Sequence, residues 1–296
     1  MLDFIPISIE HQQLIHQNMY GADGHGCEYS FANIYLWGDQ RIAMIGSTPV
    51  ILTRYGKWYA YLLPQCEDSP ALVQVLREDA HERKIPFRIS GLTAADKELL
   101  ESAFPCEFRF RSVRDSYDYI YDTVRLTELR GKKLQTKRNH CNRFEQAYPD
   151  YRVIPLTQDT LPLCRAFAKI WYEEHLAMHP YSDMTEEQTA LSKAFDGFAQ
   201  LHMEGIAIDT SDGIVAFCMG NRIRKDTFDV NFEKALPEIN GAYPMVNREY
   251  SRRIHAKYPE VQFMNREDDM GIEGLRKAKE SYYPDILLEK FVAEEK

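Results

Sequence analysis

Two rhythms alternate along the chain. Short runs of period two, rich in β-branched and aromatic side chains, predict strands at "DFIPI", "RIAMIG", "TPVILTRY" and "KWYAYLLP". Stretches with apolar residues three and four apart predict helices at "EHQQLIHQNMYG", at "YSFANIYLW" after the Cys27 loop, and at "SPALVQVLREDAHERK", where Pro takes the first helical position. "FRIS" reads as a strand, "TAADKELLESAF" as a helix capped by Thr, and "SYDYIYD" as a closing strand. The second half repeats this grammar. "YRVIPLT" is a strand, and "TLPLCRAFAKIWYEEHL" and "TEEQTALSKAFDGFAQLH" are helices. "GIAIDTSDG" and "IVAFCMGNRI" form a hairpin around Ser211, Asp212 and Gly213, and "TFDVNFEKA" alternates as a strand. "YPMVNREYSRRIHAKYP" and "GIEGLRKAKESYYP" are helices, "VQFMNRE" is a strand, and "ILLEKFVAEE" is one last strand. Each half reads β-α-α-β-β-β-α-β-α-β. The matching order predicts two tandem α+β domains. The boundaries fall at 1–122, a basic linker helix at 123–150, and 151–296.

Composition adds filled cores, with 44% hydrophobic and 12% aromatic residues. The formal charge of −9 argues against DNA as a partner. Against that background, "GKKLQTKRNH" (131–140) concentrates cations. On a helix, Leu134, Cys141 and Phe144 form an apolar seam, Lys133, Lys137 and His140 share another face, and Arg138 and Asn142 pair on a third. Like charges at i and i+4 cost a few tenths of a kcal/mol. Either an anionic substrate repays that cost or the face is simply solvated. The six cysteines are scattered with no C-x-x-C pair, no H-x-x-x-H or H-E-x-x-H spacing is read, and no metal is expected. The N-terminus lacks the basic start and apolar core of a signal peptide. No apolar run approaches the about 20 residues of a membrane span. A cytoplasmic protein with reduced thiols is expected.

The repeated order resembles the Gcn5-related N-acetyltransferase fold, occurring twice, which implies that each domain is a mixed, mostly antiparallel sheet flanked by helices. Tandem copies resemble Fem-type enzymes, which add amino acids from aminoacyl-tRNA to peptidoglycan precursors, and the C-terminal domain of phosphatidylglycerol lysyltransferases. "EYSFANIYLW" (28–37), "KKLQTKRNHCNRF" (132–144), "FEKALPEINGAYPMVNREY" (232–250) and "NREDDMGIEGLRKAKESYYP" (265–284) resemble the signature runs of a bacterial family of unassigned function grouped with that domain. The resemblance implies an acyltransferase that moves an aminoacyl group, from aminoacyl-tRNA or a similar activated donor, to an amine or hydroxyl such as a lipid headgroup or cell-wall precursor. Two alternatives stand beside it: an acyl-coenzyme A N-acyltransferase, and a non-catalytic binding or scaffold protein. Coenzyme A enzymes of this fold carry a [Q/R]-x-x-G-x-[G/A] loop that cradles pyrophosphate at a helix N-terminus. Aligning Gly241 of "PEINGAYPM" with its first Gly puts Glu238 at the Gln/Arg position and Tyr243 at a small-residue position. The first-half stretch "LPQCEDSPAL" has no glycine, so that half is expected to be non-catalytic.

Candidate chemistry follows from that alignment. In "TFDVNFEK", Asp229, Asn231 and Glu233 share one strand face, and Glu233 is the candidate general base; the alternative is an ordinary solvated face. Asn265 and Arg266 end the next strand, where Asn265 can donate to a carbonyl and Arg266 can pair with phosphate or carboxylate. Lys277 and Lys279 sit on different sides of a helix, and Lys279 is expected to face the cleft. Lys133, Lys137, Arg138, His140, Asn142 and Tyr243 complete the substrate-binding candidates. The expected anion at the basic helix is a tRNA acceptor end, a lipid headgroup or acyl-coenzyme A.

Overall fold

The computed structural model describes residues 1–19, 26–66, 68–179, 181 and 183–296. In chain order the first half contains β1 (Ile5–Pro6), α1 (Gln12–Met19), α2 (Phe31–Leu36), β2 (Asp39–Ile45), β3 (Thr48–Tyr55), β4 (Trp58–Leu62), α3 (Ser69–Arg83), β5 (Arg88–Leu92), α4 (Ala94–Ala103), β6 (Phe108–Ser112) and β7 (Asp118–Asp122). Then come α5 (Thr123–Glu128) and α6 (Gln135–Ala147). The second half contains β8 (Arg152–Pro155), α7 (Leu161–Met178), α8 (Thr185–Asp196), β9 (Glu204–Thr210), β10 (Gly213–Arg222), β11 (Thr227–Ala235), α9 (Ala242–Lys257), β12 (Phe263–Asn265), α10 (Glu273–Glu280), β13 (Ile286–Leu288) and β14 (Phe291–Glu295). Tyr20 and Gly21, which the spacing assigns to the first helix, lie outside the described residues, as does Glu67 of "LPQCEDSPAL".

Local chemistry explains these elements. Val73, Leu76 and Ala80 bury one stripe of α3, which stops where Lys84 adopts a left-handed conformation. Thr93 and Asp96 cap α4 reciprocally, with the Thr93 amide donating to Asp96 at 2.8 Å. Leu134, Cys141 and Phe144 are buried, as the seam predicts.

Each half builds a seven-stranded sheet, in the orders β1-β2-β3-β4-β5-β14-β6 and β8-β9-β10-β11-β12-β7-β13. The two orders are the same pattern. β4–β5 and β11–β12 run parallel, and the other neighbours from β1 to β6 and from β8 to β7 are antiparallel. Beside the second parallel pair, β10 carries a bulge at Gly220, where an added Cβ would lie 1.8 Å from the Asp229 carbonyl.

Four features differ from expectation. "EFRFRS" supplies a strand, β6, that the element order omitted. "ILLEKFVAEE" is two strands: β13 stays in the second sheet and β14 enters the first. The strand "SYDYIYD" (β7) correspondingly belongs to the second sheet. Last, the basic linker is not one helix. Asp122 caps α5 through the Arg125 amide at 2.7 Å, and positive φ at Leu129 and Gly131 breaks the chain before α6.

The chain packs into two interleaved units rather than contiguous halves. One is Met1–Asp118 with Glu267–Arg276 and Leu287–Lys296; the other is Tyr119–Arg266 with Lys277–Ile286. Residues 123–150 lie wholly inside the second unit, where α5 and α6 pack on α9. The first unit's core holds Leu52, Tyr61, Leu76 and Ile89; the second's holds Phe144, Ile206, Phe228 and Tyr250.

Candidate functional site

In the second unit, β11 buries both of its faces. Phe228, Val230 and Phe232 pack into the core, while Asp229 and Asn231 of the polar face are also buried and joined by a 3.1 Å hydrogen bond. The solvated-face alternative is therefore excluded. Glu233, farther along that face, keeps a small part of its surface exposed. Its Oε1 accepts from Arg266 Nη2 at 2.8 Å and its Oε2 from Asn247 Nδ2 at 3.0 Å. Arg266 follows β12 and stacks over Tyr282 and Tyr121, 4.9 and 5.7 Å from the ring centres. Burial opposes its charge, but Glu233, then the two tyrosines, outweigh that and hold the guanidinium above its ordinary range. Arg266 Nη1 is buried and has no hydrogen-bond partner among the described residues. Asn265 is fully buried, in register with Asp229 and Ile120 inside the sheet, which removes it from any cleft.

The basic helix divides by function. Lys137 is half-buried, with Nζ 4.2 Å from the Tyr282 ring centre; among the described residues it makes no hydrogen bond or ion pair. Its pKa is lowered by burial first and by Arg266 next, with Glu233 and Cys141 opposing. Lys133 is exposed beside Tyr283. Arg138 turns back to donate to the carbonyls of Leu129 and Gly131, so it ties down the α5–α6 break and is not offered to a ligand. His140 Nδ1 meets Asn240 Oδ1 at 2.8 Å, and Asn142 is exposed. Lys277 is exposed as its spacing predicts, whereas Lys279 is buried and donates to the Arg266 carbonyl at 2.5 Å. Lys279 thus supports Arg266 from behind. Tyr243 is half-buried, and burial pushes its phenol up to about 12. Gly241 starts α9 at φ 91°, and a Cβ there would lie 2.3 Å from the His140 carbonyl. Helix α6 therefore sits directly on the turn where a coenzyme A enzyme keeps its pyrophosphate loop.

Asn247, Tyr121 and Tyr282 escaped the sequence reading because they sit 14, 112 and 49 positions from Glu233 (247 − 233, 233 − 121, 282 − 233). A second cluster, within the first unit, also escaped it. Lys290 Nζ donates to Asp118 Oδ1 at 2.6 Å and Glu28 Oε1 at 2.7 Å, with Cys27 Sγ 3.7 Å away. Cys27, Glu28 and Asp118 offer metal-type ligand atoms, and the Lys290 ammonium is the cation among them. Burial works against that charge, yet Asp118, Cys27 and Glu28 more than reverse it, so its pKa lies above the ordinary value. His175 on α7 and His179 at its C-terminal cap do form an H-x-x-x-H spacing, ring centres 4.8 Å apart, contrary to the expectation that none occurs.

These sheets and this cation-rich strand end define a tandem protein of the Gcn5-related acyltransferase fold, an architecture shared with FemX (TM-score 0.56, 9% identity over 99% of this chain and 96% of that one). The model of the phosphatidylglycerol lysyltransferase C-terminal domain matches residues 22–294, and the chain belongs to that family. A conserved protein of unknown function from Bacteroides thetaiotaomicron is 36% identical over the whole of both chains, with a TM-score of 0.93. L-PGS from Bacillus licheniformis shares the fold at 16% identity, with a TM-score of 0.66 over 98% of this chain and 92% of that one. An uncharacterised protein of Mycoplasmoides gallisepticum is 26% identical over 210 residues, covering 69% of this chain and 63% of its own length. Among the described residues, no helix is long and apolar enough to cross a membrane.

Proposed function

We propose that the chain is an aminoacyl transferase that moves an aminoacyl ester from a charged tRNA to a hydroxyl or amine acceptor, with a phosphate-bearing substrate held by the second unit. The observation that carries this reading is a pair of uncommitted nitrogen donors. Arg266 and Lys137 together face one carboxylate, Glu233, and both of its oxygens are already hydrogen-bonded. The buried, unpartnered Nη1 of Arg266 and the uncommitted Nζ of Lys137 suit a phosphate or developing oxyanion. The family's lysyltransferase name favours a lipid headgroup as acceptor. In this assignment Glu233, Asn247 and Lys279 position Arg266, and Tyr243 borders the site. The acyl-coenzyme A alternative is disfavoured by Glu238 and Tyr243 at the loop positions and by the seating of α6 on Gly241, where a Cβ would already meet the His140 carbonyl.

The test presents the protein with the full panel of radiolabelled aminoacyl-tRNAs and vesicles containing phosphatidylglycerol, and follows label into the lipid phase. Transfer from at least one donor, lost in Arg266→Met, is expected. No transfer from any donor, to lipid or to a panel of soluble amines and alcohols, overturns the reading. Consumption of an acyl-coenzyme A instead would install that alternative.

A further inference from the structure

We propose that Lys137, acting as a free amine, is the base that takes the proton from the acceptor hydroxyl, and that Glu233 is a positioning residue; this rests on the aminoacyl-transfer reading above. Geometry separates the two groups. Arg266 and Asn247 occupy one oxygen each of Glu233, so its carboxylate is committed to holding the guanidinium. Lys137 Nζ, one side of which faces Tyr282, has no acceptor among the described residues and stays partly open to solvent.

The groups around Lys137 favour the neutral amine. Arg266, at the end of β12, repels its charge. Glu233, on β11, attracts it but is already shared with Arg266. Tyr282, following α10, is a buried phenol held protonated. Cys141, one turn along α6, is pushed up by burial to about 11 and so stays a thiol. A desolvated lysine beside a second cation is a recognised way to obtain a reactive amine near neutral pH.

The step then balances. The acceptor O–H proton passes to Lys137 Nζ as the oxygen forms a bond to the carbonyl carbon of the aminoacyl ester. The tetrahedral oxyanion develops near Arg266. The bond from that carbon to the donor ribose oxygen breaks, and the proton on Lys137 passes to the leaving oxygen. Lys137 ends neutral, and one ester has replaced another.

Two readouts test this. Protein labelled with 13C at the lysine ε-carbons, with Lys137 assigned by its loss in Lys137→Arg, is titrated by NMR. Lys137 is expected to titrate below the surface lysines and to move toward them in Arg266→Met. Titration together with the surface lysines overturns the base assignment without touching the transfer reading. In the transfer assay, Lys137→Arg places a permanent cation there but no usable base, and transfer is expected to fall about 100-fold or more. Lys137→Ala is expected to regain rate with small primary amines, in an order that follows their pKa. Wild-type rates in Lys137→Arg would assign Lys137 to charge alone and overturn the proposal. Silence of the wild type with every donor overturns the transfer reading instead.

Discussion

Removing either partner of the Glu233–Arg266 pair should unsettle the second unit in a way a double-mutant cycle can read. Each side chain is only 11% exposed. Breaking a buried pair costs about 3–5 kcal/mol, whereas exposed pairs are worth about 0–1 kcal/mol. Arg266→Met leaves Glu233 with Asn247 alone and also loses two cation–π contacts, so a cost of about 3 kcal/mol is expected. Glu233→Gln keeps the Asn247 contact and leaves Arg266 over Tyr282 and Tyr121, so a smaller cost of about 2 kcal/mol is expected. The double variant removes both charges at once, and should fall short of the sum of the singles by about 2 kcal/mol. Urea unfolding at neutral pH measures this in a Trp37→Phe/Trp58→Phe background, which leaves Trp171 as the sole tryptophan. Its indole donates to the Ala235 carbonyl at 2.9 Å on β11, so its emission follows the strand that carries Glu233. Additivity within about 0.5 kcal/mol would refute the coupling and the positioning role built on it.

Three further outcomes follow from the same structure. Lys290→Met takes the ammonium partner from the fully buried Asp118 carboxylate, which keeps the Cys27 amide, and should cost the first unit about 3 kcal/mol, read by urea unfolding through Trp37 and Trp58. Arg138→Ala loses hydrogen bonds to two backbone carbonyls and should cost about 1–3 kcal/mol by chemical denaturation, with no selective loss of tRNA affinity. Lys137→Met should stabilise the protein at neutral pH. The folded-state pKa of Lys137 is lowered, so its penalty is fully present below that value and fades as pH rises toward the unfolded value of about 10.4. Thermal melts from pH 7 to 10 should show the advantage of Lys137→Met shrinking toward the alkaline end.

Much of this fold is written in local pattern. The strand alternation of "TPVILTRY" and "TFDVNFEKA", the Thr93 cap and the seam of Leu134, Cys141 and Phe144 each depend on a few neighbouring residues. The exchange of final strands does not. β7 and β14 both read as ordinary strands, and nothing in their own residues distinguishes the sheet behind them from the one ahead. The break at Leu129 was hidden because a non-glycine residue takes the left-handed conformation there, held by carbonyl contacts from Arg138 nine positions on. Strand-end polarity drew attention to Glu233 and Arg266. Their pairing, and the Lys290 cluster that spans residues 27 to 290, depend on tertiary approach and left no local signal.

The claim that this family member transfers aminoacyl groups is tested most directly by incubating the wild-type protein and Arg266→Met with radiolabelled lysyl-tRNA and phosphatidylglycerol vesicles, and counting label in the extracted lipid. Lipid-borne label is expected with the wild type, and about 100-fold less with Arg266→Met. Equal label from both proteins would contradict the assigned site, and none from the wild type with lysyl-tRNA or any other aminoacyl-tRNA would contradict the function.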